Sequence, residues 1–124
     1  MRRIGGITLR IAALAPFVIA ASPVAPDWIL LGRSGSNADY YVDRASVKID
    51  GNVRTYAEMA SPVSVRMQVV THIRLDCATM TMQRLDTSID GGASTASDDS
   101  APKPIVPGSL GAVEAQMVCA LPPS

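Results

Sequence analysis

Residues 65–77 alternate without interruption. Val65, Met67, Val69, Thr71, Ile73, Leu75 and Cys77 share one parity, and Arg66, Gln68, Val70, His72, Arg74 and Asp76 share the other. Side chains of a strand point to opposite faces with a period of two, so this pattern predicts a long strand with one buried and one wet face, Cys77 closing the buried one. Upstream, 28–33 is an apolar run closed by Gly32 and Ser34-Gly35-Ser36-Asn37, and 40–43 (Tyr-Tyr-Val-Asp) is a short second candidate. Both are rich in β-prone residues and bounded by turn residues. Residues 47–50 and 53–60 flank the turn pair Gly51-Asn52 and predict a hairpin, which Ser61-Pro62 breaks before the long strand begins. A last strand is expected over 79–85.

From 87 to 107 the composition shifts to Ser, Gly, Asp, Ala and Pro, with Gly91-Gly92, Asp98-Asp99 and prolines at 102, 104 and 107. Such a stretch cannot bury a core, and it is expected to be a long flexible connection. Pro107-Gly108-Ser109 then opens a helix over 110–119, with Ser109 as the natural N-cap. Leu110, Val113 and Met117 make one stripe on that helix, while Ala112, Ala115 and Cys119 fall roughly opposite. Either the last turn unwinds to deliver Cys119, or the small-residue face packs closely on the sheet; the pattern leaves both open. The expected fold is α+β: a small antiparallel sheet of about five to six strands with one C-terminal helix packed on it.

The amino terminus changes the context. Residues 1–10 hold three Arg and no acid, and 11–21 are uncharged, a run too short for the roughly 30 Å of a bilayer core. With small residues at Ala20, Ala21 and Ser22, residues 1–22 read as a signal peptide cleaved between about 20 and 25. Arg2-Arg3 lacks the rest of a twin-arginine signal, and no Cys sits at the junction to take a lipid. The expectation is export to the periplasm or cell surface, a single domain over 27–121, and no stable membrane span after the signal is removed.

Composition then narrows the chemistry. The chain has 124 residues, 11 Lys+Arg against 11 Asp+Glu, two Cys and one His. Losing Arg2, Arg3 and Arg10 leaves eight basic and eleven acidic side chains, a net of −3 that argues against nucleic acid as a partner. In an oxidising compartment the pair Cys77 and Cys119 is expected as a structural disulfide, and two cysteines cannot make a zinc ribbon. The bridge would close a loop of about 43 residues, worth roughly 4 kcal/mol in the chain-entropy description.

No catalytic residue, cofactor or metal site is assigned. His72 has the opposite parity to Cys77, so the two cannot form a dyad on one strand. His72 and Asp76 would stand about 13 Å apart along a strand, too far for one ion. Asp98-Asp99 suggests calcium or acid-base work, but with nothing flanking to fix two carboxylates it reads as solvated loop acids. Gly91-Gly92 lacks the spacing and the Lys of a phosphate loop. Trp28 reads as core, and Arg66, His72 and Arg74 as a solvated sheet face.

Asp27-Trp28, Tyr41-Val42-Asp43 with Ser46, Asp76-Cys77, Pro107-Gly108-Ser109 and Val118-Cys119 occur in an order that resembles the surface-adhesin protein E-like family, across about 27–119. The resemblance implies a small exported domain with an antiparallel sheet, a C-terminal helix and a disulfide joining the two. It also implies binding of extracellular proteins, and it carries over no ligand-contact residue. The functional expectation is an exported, non-enzymatic protein-binding or envelope-associated domain whose partners are extracellular or envelope proteins. Its contact surfaces would be the 87–107 segment and the exposed face of the long strand. The alternatives are a small periplasmic enzyme, whose His72 would meet Asp or Ser from other strands, and an exported inhibitor presenting 87–107.

Overall fold

The computed structural model describes residues 24–98 and 100–123; the signal-peptide segment 1–22 and Asp99 of the acidic pair lie outside them. Among the described residues eight strands and one α-helix follow in order, with a short 3-10 helix at Arg44–Ser46 between the second and third strands: β1 (Trp28–Arg33), β2 (Ala38–Asp43), β3 (Lys48–Asp50), β4 (Val53–Pro62), β5 (Val69–Asp76), β6 (Thr81–Ile89), β7 (Thr95–Ala96), β8 (Lys103–Pro104) and α1 (Leu110–Cys119). They form one antiparallel sheet in the order β1-β2-β4-β5-β6-β7, with β3 also on β4 and β8 also on β6.

The count exceeds the five to six strands expected, and the additions come from the Ser/Asp/Pro segment. β7 and β8 are two residues each, too short to carry a periodic signal, and both pair with the outer edge of β6. Ser97 N–H donates to Leu85 O at 3.1 Å and Ile105 N–H to Met80 O at 3.0 Å, so edge groups that need partners draw an apparently featureless stretch onto the sheet.

The long strand is shorter than its alternation. β5 starts at Val69 because its pairing with β4 ends at Ala60↔Val69, and β4 then carries Ser61 and Pro62 along β2 alone. Without a partner strand, 65–68 turns instead: Met67 N–H donates to Val65 O, Asp90 N–H donates to Gln68 O, and Gln68 N–H donates to the Asp90 side chain at Oδ1. Within β5 the parity holds, with Thr71, Ile73 and Leu75 buried and His72 and Arg74 exposed. Likewise β6 begins two residues later than expected and runs on to Ile89, so its last residues fall inside the stretch expected to be a connection.

The hairpin turn holds Gly51 at φ +60°, as a left-handed turn residue favours. The core consists of Val42, Tyr56, Ile73, Leu75, Ala115 and Val118. Ser109 caps α1, its hydroxyl accepting from Ala112 N–H at 3.2 Å. The helix stays intact through Cys119 and buries Glu114, Ala115 and Val118, while Val113 of the larger apolar stripe is 47% exposed. The packing face is therefore neither expected stripe but the line of Glu114, Ala115 and Val118, to which the small-residue side contributes Ala115. At its start, Leu110 reaches Gly32 of β1, where an added Cβ would lie 3.3 Å from Leu110 Cδ1, and Gly111 lines a cleft against β6. The two edges of the sheet thus curl toward the same helix. Trp28, expected in the core, is only half-buried, because it stands opposite Asp43 on the outer row of β1 and β2.

The disulfide joins Cys77, just past β5, to Cys119, the last residue of α1, with 5.9 Å between the Cα atoms. It fastens the helix to the sheet at the end remote from Leu110.

Candidate functional site

Register assigns the faces. Val42, Glu58, Thr71 and Thr87 lie opposite one another across β2, β4, β5 and β6 and share the helix face. Leu30, Tyr41, Met59, Val70 and Ser88 form the adjacent row on the other face. Among the described residues no helix covers that second face. Leu30 is 58% exposed, Tyr41 and Val70 are half-buried, and Met59 is enclosed between them. The next row brings His72 opposite Asp86, and His72 Nδ1 lies 2.6 Å from Asp86 Oδ1. That hydrogen bond holds the Asp86 carboxyl below its ordinary range. The sole imidazole therefore has a carboxylate partner from a neighbouring strand, as the enzyme alternative required. Half of the His72 side chain remains open to solvent, and the Ser94 side chain hydrogen-bonds the same Asp86 carboxyl.

The helix face carries a second polar group. Tyr56, 1% exposed, donates its hydroxyl to Glu114 Oε2, and Glu114, 2% exposed, also hydrogen-bonds the buried Glu58. Burial, then the neighbouring Glu58, pushes the Glu114 carboxyl up to about 9, so at neutral pH it holds a proton. Burial and the same carboxyl push the Tyr56 hydroxyl up as well. With that proton held, the Glu114 carboxyl can lie in an apolar core beside the Tyr56 phenol and the Glu58 carboxyl. Because they are enclosed by Ile73, Ala115 and Val118, they act as a structural tie between helix and sheet.

Sequence reasoning passed over this cluster. The available signal was Glu114, the one charged residue in α1, lying beside the buried Ala115 and Val118, together with Arg54 and Glu58 on the same parity as Tyr56.

Beside it opens a cleft of about 420 Å³ between β6, the 97–106 segment and the start of α1, lined by Met82, Arg84, Ser97, Ala101, Lys103, Pro104, Ile105, Val106, Ser109 and Gly111. Arg84 stands opposite Ile73 and so projects on the helix face. Among the described residues, no three His, Cys, Asp or Glu side chains gather where a metal ion could be held. Among the same residues no helix is long and apolar enough to cross a membrane. Cys77 and Cys119 are spent in the bridge, and Asp98 lies exposed in the 97–106 segment.

An antiparallel sheet with one disulfide-tethered helix and an uncovered apolar row makes a small α+β domain. The sequence model of the family described as surface-adhesin protein E matches residues 28–120, and the chain belongs to that family. The family implies an exported or cell-surface protein. No curated protein matches the chain. Among solved structures it is similar to protein E of Haemophilus influenzae, with a TM-score of 0.60 at 16% identity over 83% of this chain and 91% of that one. Crystal form II of that protein gives 0.56 at 19% identity over 86% and 97%. Protein E from non-typeable Haemophilus influenzae gives 0.55 at 20% identity over 88% and 83%. At these identities the likeness establishes a shared fold.

Proposed function

We propose that the chain is an exported, non-enzymatic adhesin-like domain that binds extracellular or envelope proteins through the uncovered sheet face and the adjoining 87–107 segment. The observation that carries this reading is the Leu30, Tyr41, Met59 and Val70 row, which crosses four strands on the face opposite α1. Apolar and aromatic side chains rimmed by charged ones, here Arg74 and the His72–Asp86 pair, are the composition of a protein contact surface. Membership in the surface-adhesin protein E family supports the same reading. So does the outward aim of the one histidine, which stands away from the bridge and from the buried carboxyls.

The test has two parts. Mass spectrometry of protein recovered outside the cytoplasm should find a mature N-terminus between Ala21 and Pro26, and a retained Met1 would refute export through a cleaved signal. The oxidised domain should then bind immobilised extracellular proteins in a surface-resonance assay. The double variant Leu30→Asp, Arg74→Glu should weaken that binding at least tenfold with an unchanged melting temperature. Binding insensitive to both substitutions would move the contact surface elsewhere.

A further inference from the structure

The cleft between β6 and α1 is chemically lopsided. Met82, Pro104, Ile105 and Val106 supply an apolar wall, and Val106 is 66% exposed despite its size. Next to that wall stand two cations, Arg84, two residues along β6 from Met82 on the same face, and Lys103, the register partner of Met82. Arg84 makes no ion pair or hydrogen bond of its own among the described residues. The group that acts on it electrostatically is the buried Glu114 carboxyl. A volume of about 420 Å³ lies within the range of small-ligand sites, roughly 300–1,000 Å³.

We propose that this cleft binds a medium-chain aliphatic monocarboxylate, its head on the Arg84 guanidinium and its chain along Met82, Ile105 and Val106. A guanidinium presents two parallel N–H donors that match one carboxylate, and such charge-assisted pairs are the stronger hydrogen bonds of proteins. The apolar wall offers nothing to the further charges of a polyphosphate, whereas covering the methylenes of an aliphatic chain removes apolar surface from water on both sides. The site is independent of the uncovered sheet face, which lies on the other side of the sheet.

Decanoate is the probe and 1-decanol its uncharged control, each titrated into the full oxidised chain and followed by calorimetry and backbone amide shifts. Decanoate should bind at least tenfold more tightly than decanol, with the largest shifts at Met82, Ile105 and Gly111. Arg84→Gln should bring decanoate down to the level of decanol, Arg84→Lys should recover part of the difference, and Ala101→Trp, which fills the cleft from an exposed position, should abolish both. Equal binding of acid and alcohol would overturn the proposal. So would an Arg84→Gln variant that binds decanoate unchanged, absence of binding at millimolar decanoate, or shifts centred on Leu30 and Val70. Because Arg84 and Ala101 are both exposed, the variants leave the core intact, and near-ultraviolet circular dichroism confirms it for each.

Discussion

Tyr56 on β4 and Glu114 on α1, 58 residues apart in the chain, meet inside the core with the phenol donating to the carboxyl. The bond is the polar counterpart of the Cys77–Cys119 bridge. One ties the middle of the helix to the middle of the sheet, the other ties their ends.

Replacing Tyr56 by Phe keeps the ring among Ile73 and Val118 but removes the donor to Glu114 Oε2, leaving that buried oxygen unpaired while the carboxyl keeps its bond to Glu58. An orphaned buried polar group costs about 1–3 kcal/mol, and the urea midpoint of Tyr56→Phe should fall accordingly. An unchanged midpoint would mean that Glu114 finds another donor at no cost.

The raised Glu114 carboxyl fixes a direction for stability against pH. Its folded value near 9 lies above the ordinary 4.5, so between those values the folded state binds the extra proton. Stability from this group is fully present below about 4.5 and drains away as pH rises toward 9, by at most about 1.4 kcal/mol per pH unit. Urea midpoints at pH 5, 7 and 9 should therefore decline in order. Glu114→Gln, which can still accept from Tyr56 and donate to Glu58, should flatten that series; a decline that survives the substitution would place its origin in other groups.

Serine at both Cys77 and Cys119 should lower stability by about 2–5 kcal/mol at 25 °C. Thermal unfolding in the presence and absence of reductant provides the same comparison without mutation. Coincident curves would show that the bridge contributes nothing once the helix has packed.

Gly32 combines a φ of +153° with the close approach of Leu110 Cδ1, on a β-bulge of β1. Alanine there meets both the backbone conformation that side chains avoid and a packed neighbour, so Gly32→Ala should cost about 1–3 kcal/mol. Gly51→Ala, at φ +60° with open space around its Cβ position, should cost less. Equal losses at the two sites would remove Leu110 packing from the account.

Which parts of this fold were legible follows from what each element depends on. The β5 parity, the Gly51-Asn52 hairpin and the Ser109 cap are local, since each needs only its own few residues to state its structure. The bridge was legible because only two thiols were present. β7 and β8 were not, because a two-residue strand is defined by its partner's edge and not by its own composition. The Tyr56, Glu58 and Glu114 cluster was missed for a related reason: a Glu at mid-helix and another on a strand are ordinary surface residues until the fold turns both inward. The Arg84 cleft needs three separate segments to be in place, and no spacing along the chain encodes that.

The two short strands on β6 also bear on self-association. A nine-residue edge with free N–H and C=O groups is a template on which a second copy of the same strand can form, the first step of fibril growth. Here the chain occupies that template itself at both ends, with Thr95–Ala96 on Asp86 and Thr87 and Lys103–Pro104 on Thr81 and Met82. Pro104 has no N–H to offer outward. A segment too poor in apolar residues to build a core of its own thus serves as a gatekeeper, and shortening it for the sake of a tidier domain would trade away resistance to aggregation.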